Sequence, residues 1–327
     1  MKTKLIAMLL GLTMSVFVVG CGDDDSPTGS SGVAEIEVIQ AAIETDVMTK
    51  SPVIKAQALF DNLSDGDTSN DPVVLSVRAA THYAVGHIQG AINIPWKEIG
   101  DAAKLTALPM DKQIVVYCYT GHTGAVATTA LNAMGYNAIN LKFGMMGWTS
   151  DADVLATTPF SAAAGFPVET SANAATASND LADPDYTDSA DEDEILRAAV
   201  EDYVTTTSPV MKAQALFDNL SDGDTSNDPI VLSVRGAAHY AIGHIQGAIN
   251  IPWKEIYMSE NLQKLPTDKQ IVVYCYTGHT GGVATTALNL MGYNAINLKF
   301  GMMGWSSDAD VVATTPFSAA AGFPTVQ

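Results

Sequence analysis

Short apolar runs alternate with polar and helically spaced stretches along most of this chain, and the whole alternation occurs twice. In the first pass, Val73–Val77, Ala91–Ile94, Gln113–Cys118 and Asn137–Lys142 are brief runs bounded by Gly, Pro, Asn or Asp. That is the pattern of strands buried on both faces. Between them lie segments of helical character. Ile36, Ile39, Ile43 and Val47 recur at helical spacing through Glu35–Met48. Ser51 and Pro52 supply an N-cap and a first-turn proline, which predicts a helix from there to about Leu63. Trp96–Leu108 reads as helix with a loop, and Ala125–Met134 as an Ala- and Thr-rich helix. Short strands alternating with helices predict an α/β fold, a parallel sheet with helices on both faces.

The second pass restarts at Glu192 with every landmark displaced by 157 positions (275 minus 118 for the cysteines): Pro52 to Pro209, His87 to His244, Trp148 to Trp305. This is a tandem of two units rather than a solenoid. Residues 35–168 and 192–327 are therefore expected to be two domains, each with its own strand set and each able to fold alone. Between them, 169–191 is acidic and polar, poor in aromatics, and reads as a linker. The clearest difference between the copies, Gly100–Ala107 against Tyr257–Lys264, reads as a surface loop.

The chemistry concentrates in one stretch. Ile114–Gly124, Ile-Val-Val-Tyr-Cys-Tyr-Thr-Gly-His-Thr-Gly, is repeated letter for letter in Ile271–Gly281. A buried strand ends in a thiol, a tight polar loop follows, and then a helix. Such a thiol sits among backbone N–H groups at a helix N-terminus, where the dipole stabilises a thiolate. Six polar or glycine residues after Cys118 and Cys275 argue against their being mere small hydrophobes. A cysteine phosphatase is excluded, because it needs Arg six positions after Cys to hold phosphate bidentately, and Gly124 and Gly281 stand there. A zinc site lacks a second ligand pair, and a thioredoxin-like role lacks Cys-x-x-Cys. No metal or cofactor is expected. The formal charge of −20 excludes nucleic acid as a partner.

The stretch resembles the active-site loop of rhodanese-type sulfurtransferases, in which a cysteine opens a six-residue loop, here Cys118–Thr123 and Cys275–Thr280. Three further segments carry the likeness: Gly86–Pro95, repeated at Gly243–Pro252; Val74–Arg78, with Ser76 where the family has Asp; and Leu141–Trp148, with Phe143 and Gly144 at its Gly-Gly. The resemblance implies two tandem domains that move sulfur through persulfides on Cys118 and Cys275, from a small donor to a thiol or other nucleophilic acceptor. It implies substrate-binding loops Tyr119, Thr120, Gly121, His122 and Thr123, and Tyr276, Thr277, Gly278, His279 and Thr280. His122 either assists the thiolate or substrate, or is a solvated rim residue. The loop holds no Arg or Lys, which counts against a doubly charged donor such as thiosulfate and leaves polysulfide, persulfide or another chalcogen species as open alternatives. Arg78 and Arg235 are candidate anion contacts, with a structural role as the equal alternative; His87 and His244 read as structural. The competing function is a non-enzymatic module that binds or carries sulfur or a related chalcogen for an envelope redox complex.

The N-terminus reads as targeting. Lys2 and Lys4 precede an apolar run, Leu5–Gly20, too short to span a bilayer comfortably. Val18-Val19-Gly20-Cys21 resembles a bacterial lipobox. It implies a signal peptide over 1–20, lipid on Cys21, a tether over 21–34 and attachment to a membrane of the cell envelope, the outer membrane being favoured by Gly22.

Overall fold

The structure is a computed structural model that describes residues 34–175, 178–206 and 208–327. The signal segment, Cys21 and all but the last residue of the tether lie outside the described residues. Among the described residues, ten strands build two sheets of five. In the first half they are β1 (Val53–Ile54), β2 (Val73–Ser76), β3 (Ile92–Asn93), β4 (Gln113–Tyr117) and β5 (Asn137–Leu141). The second half repeats them as β6 (Val210–Met211), β7 (Ile230–Ser233), β8 (Ile249–Asn250), β9 (Ile271–Tyr274) and β10 (Ala295–Leu298). The orders are β1-β5-β4-β2-β3 and β6-β10-β9-β7-β8, and every pairing is parallel. The apolar runs became strands because both their faces are covered: Ile114, Val115, Val116 and Tyr117 are all fully buried. Central β4 lies between β5 and β2, and β9 between β10 and β7. Their carboxyl ends thus open at the point where the order reverses, where α/β sheets place their sites.

One local expectation fails. The chain from Ser51 does not enter a helix; Val53 and Ile54 pair with Asn140 and Leu141, and the helix is Ala56–Ser64. An edge-strand register with β5 overrides the local start signal of Ser-Pro.

The helix after each cysteine, His122–Ala133 and His279–Leu290, is buried nearly all round. One side covers its own sheet and the other meets its counterpart from the other half. A helix packed on two sides needs small residues, which explains its Gly, Ala and Thr content. One close approach joins positions 125 and 282, equivalent in the repeat yet Ala in one copy and Gly in the other. A Cβ on Gly282 would stand 2.8 Å from that of Ala125. The two copies differ there because they face each other.

The halves share much more than this seam. Val126, Ala130 and Leu131 of the first half and Val283, Ala287 and Leu288 of the second belong to one continuous core. The segment leaving the first half crosses onto the second: the Phe166 amide donates to the Trp305 carbonyl, and its ring stacks on Phe217 with centroids 4.1 Å apart. The C-terminal segment makes the return crossing. The Phe323 amide donates to the Trp148 carbonyl, its ring stacks on Phe60 at 4.1 Å, and His87 and Val326 pair by their backbones. This exchange of arms differs from the expectation of two halves that fold alone.

The 169–191 stretch is tied down at several of its described residues. Glu169 pairs with His244 by its backbone, the Asn173 amide donates to the Tyr240 hydroxyl, and the Tyr186 and Thr187 amides donate to the Glu35 carboxylate. The divergent segment is not a bare surface loop either. Gly100 lies against the backbone of Glu201, where a Cβ would come within 2.8 Å of Cα. Its counterpart Tyr257 accepts from Gln40 and donates to Glu44.

Candidate functional site

Each cysteine stands one residue beyond its central strand, 1 % exposed. The chain turns sharply and Gly121 enters the helix with φ +89°, a left-handed conformation that glycine adopts without strain. The turn aims the Gly121 amide at the Cys118 Sγ, 3.0 Å away; the Gly278 amide reaches the Cys275 Sγ at 3.1 Å. An N–H donor and the start of a twelve-residue helix both favour negative charge on sulfur. From below, the Asn140 side chain donates to the Gly121 carbonyl at 2.8 Å, as Asn297 does to Gly278. From the side, the Met145 amide holds the Cys118 carbonyl. Gly144 lies so near that a Cβ there would come within 2.4 Å of that carbonyl.

The loop histidines are not solvated rim residues. Both are 3 % exposed, and each crosses to the other half. The Phe300 amide donates to His122 Nε2 at 2.9 Å, and the Phe143 amide to His279 Nε2 at 2.9 Å. An accepting Nε2 leaves the proton on Nδ1, which then donates to the Thr120 hydroxyl at 2.9 Å and, in the other copy, to Thr277 at 2.8 Å. The two rings lie nearly parallel, centroids 6.0 Å apart. His279 Nε2 sits where any side chain on Gly121 would go, 2.5 Å from that Cβ position. Burial, reinforced by Lys142, holds His279 down to about 3. Burial, then His279 and Lys299, keep His122 well below the ordinary imidazole range. Both rings are neutral at pH 7.

Phe143 explains part of this interlock. It has φ +64°, a left-handed conformation that costs a non-glycine residue about 1–2 kcal/mol. That conformation turns its amide toward His279, and its ring packs edge-on against the imidazole at 5.0 Å. Phe300 does the same for His122 at 5.0 Å.

The other expected residues divide. Thr120 and Thr277 are in the loop and bonded to their histidines. The Tyr119 hydroxyl accepts from the Ala79 amide at 3.1 Å and meets His82 Nδ1 at 2.6 Å; Tyr276 repeats this with Gly236 and His239. These tyrosines brace the loop from outside. Thr123 and Thr280, in the first helical turn, are partly exposed. Arg78 and Arg235 are not positioned for a ligand. They are fully buried, and Arg78 donates to the Val154 and Gly86 carbonyls, as Arg235 does to Val311 and Gly243. Their role is structural. His87 also stays structural, stacked on Tyr83, as His244 is on Tyr240.

Three pairs escaped the sequence reading. Asn140 and Asn297 pin the loop, Phe143 and Phe300 dock the opposite histidine, and Lys142 and Lys299 bring charge to the seam. Burial lowers Lys142, as does Lys55 beside it, while Cys275 of the other half pulls it up. Lys299 responds in the same way to burial, Lys212 and Cys118. Only Phe143 left a trace in the sequence, by standing where the resemblance expects Gly.

Comparison with known proteins places this arrangement. The family described as Rhodanese-like domain matches residues 56–151 and again 213–308. A probable adenylyltransferase/sulfurtransferase, MoeZ of Mycobacterium tuberculosis, is 26 % identical over 258 residues, 75 % of this chain and 62 % of its own. This chain thus spans about three-fifths of that relative. The thiosulfate:glutathione sulfurtransferase of Saccharomyces cerevisiae is 32 % identical over 105 residues, 28 % of this chain and 76 % of its own. The thiosulfate sulfurtransferase PspE of Escherichia coli is 32 % identical over 71 residues, 22 % of this chain and 68 % of its own.

Proposed function

Because the chain belongs to the rhodanese-like family, whose domain it carries twice, we propose that it moves sulfane sulfur through persulfides on Cys118 and Cys275. The observation that carries this reading is the amide-to-sulfur contact at the mouth of a buried helix, present in both copies. The thiolate attacks the outer sulfur of a donor such as thiosulfate. The donor's S–S bond breaks, and sulfite leaves with the electron pair. The Cys–S–S⁻ formed keeps its charge among the loop amides. An acceptor thiolate then takes the terminal sulfur and the cysteine thiolate returns, with no outside oxidant or reductant. Each thiol is 1 % exposed, so turnover includes a step that opens the site.

That burial also favours a second reading, a carrier that holds bound sulfur away from water. Mass spectrometry and turnover separate the two. On exposure to thiosulfate, the intact mass should rise by one sulfur per cysteine. C118S and C275S should each lose one increment, and the double variant both. Sulfite release sustained by glutathione or cyanide supports the enzyme; loading without turnover supports the carrier. Transfer by the double variant at the wild-type rate would sink both.

We also place this activity in the cell envelope, on a lipid anchor at Cys21 with envelope redox proteins as candidate partners. Support comes from the basic start, the apolar run and the Val18–Cys21 motif. Among the described residues no helix is long and apolar enough to cross a membrane. C21A should leave the precursor uncleaved or the protein free of the membrane fraction; normal processing with membrane recovery would exclude the anchor.

A further inference from the structure

A cleft of about 420 Å³ opens beside the seam. Lys55 and Lys142 of the first half line it, facing Thr314, Thr315 and Ser318 of the arm that returns from the second half. Ala56, at the start of the helix Ala56–Ser64, is in its wall. The chain carries 36 acidic residues against 16 Lys and Arg. Even so, among the described residues neither lysine has a carboxylate within 4 Å. Two ammonium groups without a counter-ion, in a cleft that also holds three hydroxyl residues, make a site for an anion.

The cleft wall reaches the loop of the second cysteine through Phe143. Lys142 Nζ lies 5.2 Å from the centre of the Phe143 ring, which is also in the cleft wall. The Phe143 amide is bonded to His279, four residues after Cys275. Cys275 in turn acts on Lys142, against the lowering by burial and Lys55. The lysine, phenylalanine and histidine contacts recur with the halves exchanged. Lys299 Nζ lies 5.2 Å from the Phe300 ring, the Phe300 amide holds His122, and Lys212 stands beside Lys299.

We propose that Lys55 and Lys142 form the donor-binding site for Cys275, and Lys212 and Lys299 the one for Cys118, each half supplying the other's cationic subsite. The ligand class is a small divalent sulfur oxyanion, with thiosulfate as the probe. The proposal deepens the sulfurtransferase reading and rests on it for the word donor. It also answers the missing cation of the loop: the positive charge comes from across the seam rather than from the loop's own residues.

The test uses the whole chain with one cysteine at a time. In C118S, where only Cys275 works, Lys142→Ala should raise the thiosulfate KM about tenfold, the effect of losing one charged hydrogen bond. Lys142→Arg should bring it back to within about threefold of the parent. Lys299→Ala should have the smaller effect in that background, and in C275S the order should invert. Direct titration of thiosulfate into C118S/C275S supplies a readout that needs no chemistry; Lys142→Ala with Lys299→Ala should weaken binding about tenfold. Turnover with a KM indifferent to the lysines, or an order that fails to invert, overturns the cleft and spares the sulfurtransferase reading. Lysine-dependent binding without turnover by either cysteine does the reverse. An inactive double variant that binds no thiosulfate overturns the cleft outright.

Discussion

Acid should prise the two halves apart through their histidines. His279 is neutral in the folded protein and held down to about 3, against about 6.5 in an unfolded chain. Between those values the unfolded state takes up a proton that the folded state refuses, so stability falls as pH falls across that window. Each ring contributes a slope of about 1.4 kcal/mol per pH unit. At pH 4.5, two units below the unfolded value, His279 alone costs about 3 kcal/mol; His122 acts in the same direction. The structural cause is specific. A protonated Nε2 turns from acceptor to donor and confronts the Phe143 amide, beside a second imidazole and Lys142, with no carboxylate among its bonded partners. Urea unfolding followed by tryptophan fluorescence at fixed ionic strength, from pH 7 to pH 4, reads this directly. Carboxylates titrate over the same range, so the decisive quantity is the difference between the wild type and His279→Gln, whose side-chain oxygen still accepts from Phe143. That difference should shift in favour of the variant by about 1.4 kcal/mol per unit below pH 6. Parallel curves for the two proteins would refute the argument that the buried ring resists protonation.

The remaining expectations concern the seam and the arms. Gly282→Ala sets two methyl groups 2.8 Å apart between the paired helices and should lower stability by about 1–3 kcal/mol. Adding Ala125→Gly exchanges the two residues and should recover most of the loss in a double-mutant cycle; a neutral single variant would show that the helices do not meet there. A fragment spanning 192–327 lacks the core partners Val126, Ala130 and Leu131 and the Phe166 arm. It should show no native near-UV circular dichroism and no cooperative melt, and a cooperative transition with a native aromatic signal would restore the view of independent halves.

Much of this protein is local and therefore legible in the chain. The runs around Ile114 and Ile271 had to be buried strands because they offer no polar face. A cysteine at such a strand's end, followed by Gly121 or Gly278, had to sit in a turn opening a helix. From these came the parallel α/β architecture, the duplication and the placing of both thiols. Periodicity records that a face is buried, but not what buries it. Nothing along the chain distinguishes a helix packed on its own sheet alone from one also packed on its twin. Ala125 and Gly282 carried that information only as an unexplained mismatch. The same limit hid the histidines. His122 and Phe300 are 178 positions apart, and a polar loop residue reads as solvated until the opposing surface is known. Pro52 was misread because pairing with β5 outweighed a local helix start. Arg78 was offered to an anion because its charge is visible in the sequence while its burial beneath Val154 and Gly86 is not. The lysines were overlooked for the opposite reason. In sequence Lys142 and Lys299 are single basic residues ending a strand. They come under the influence of the opposite half's cysteine only in the packed fold, because the field of a charge depends on distance in space, and the fold alone fixes that distance.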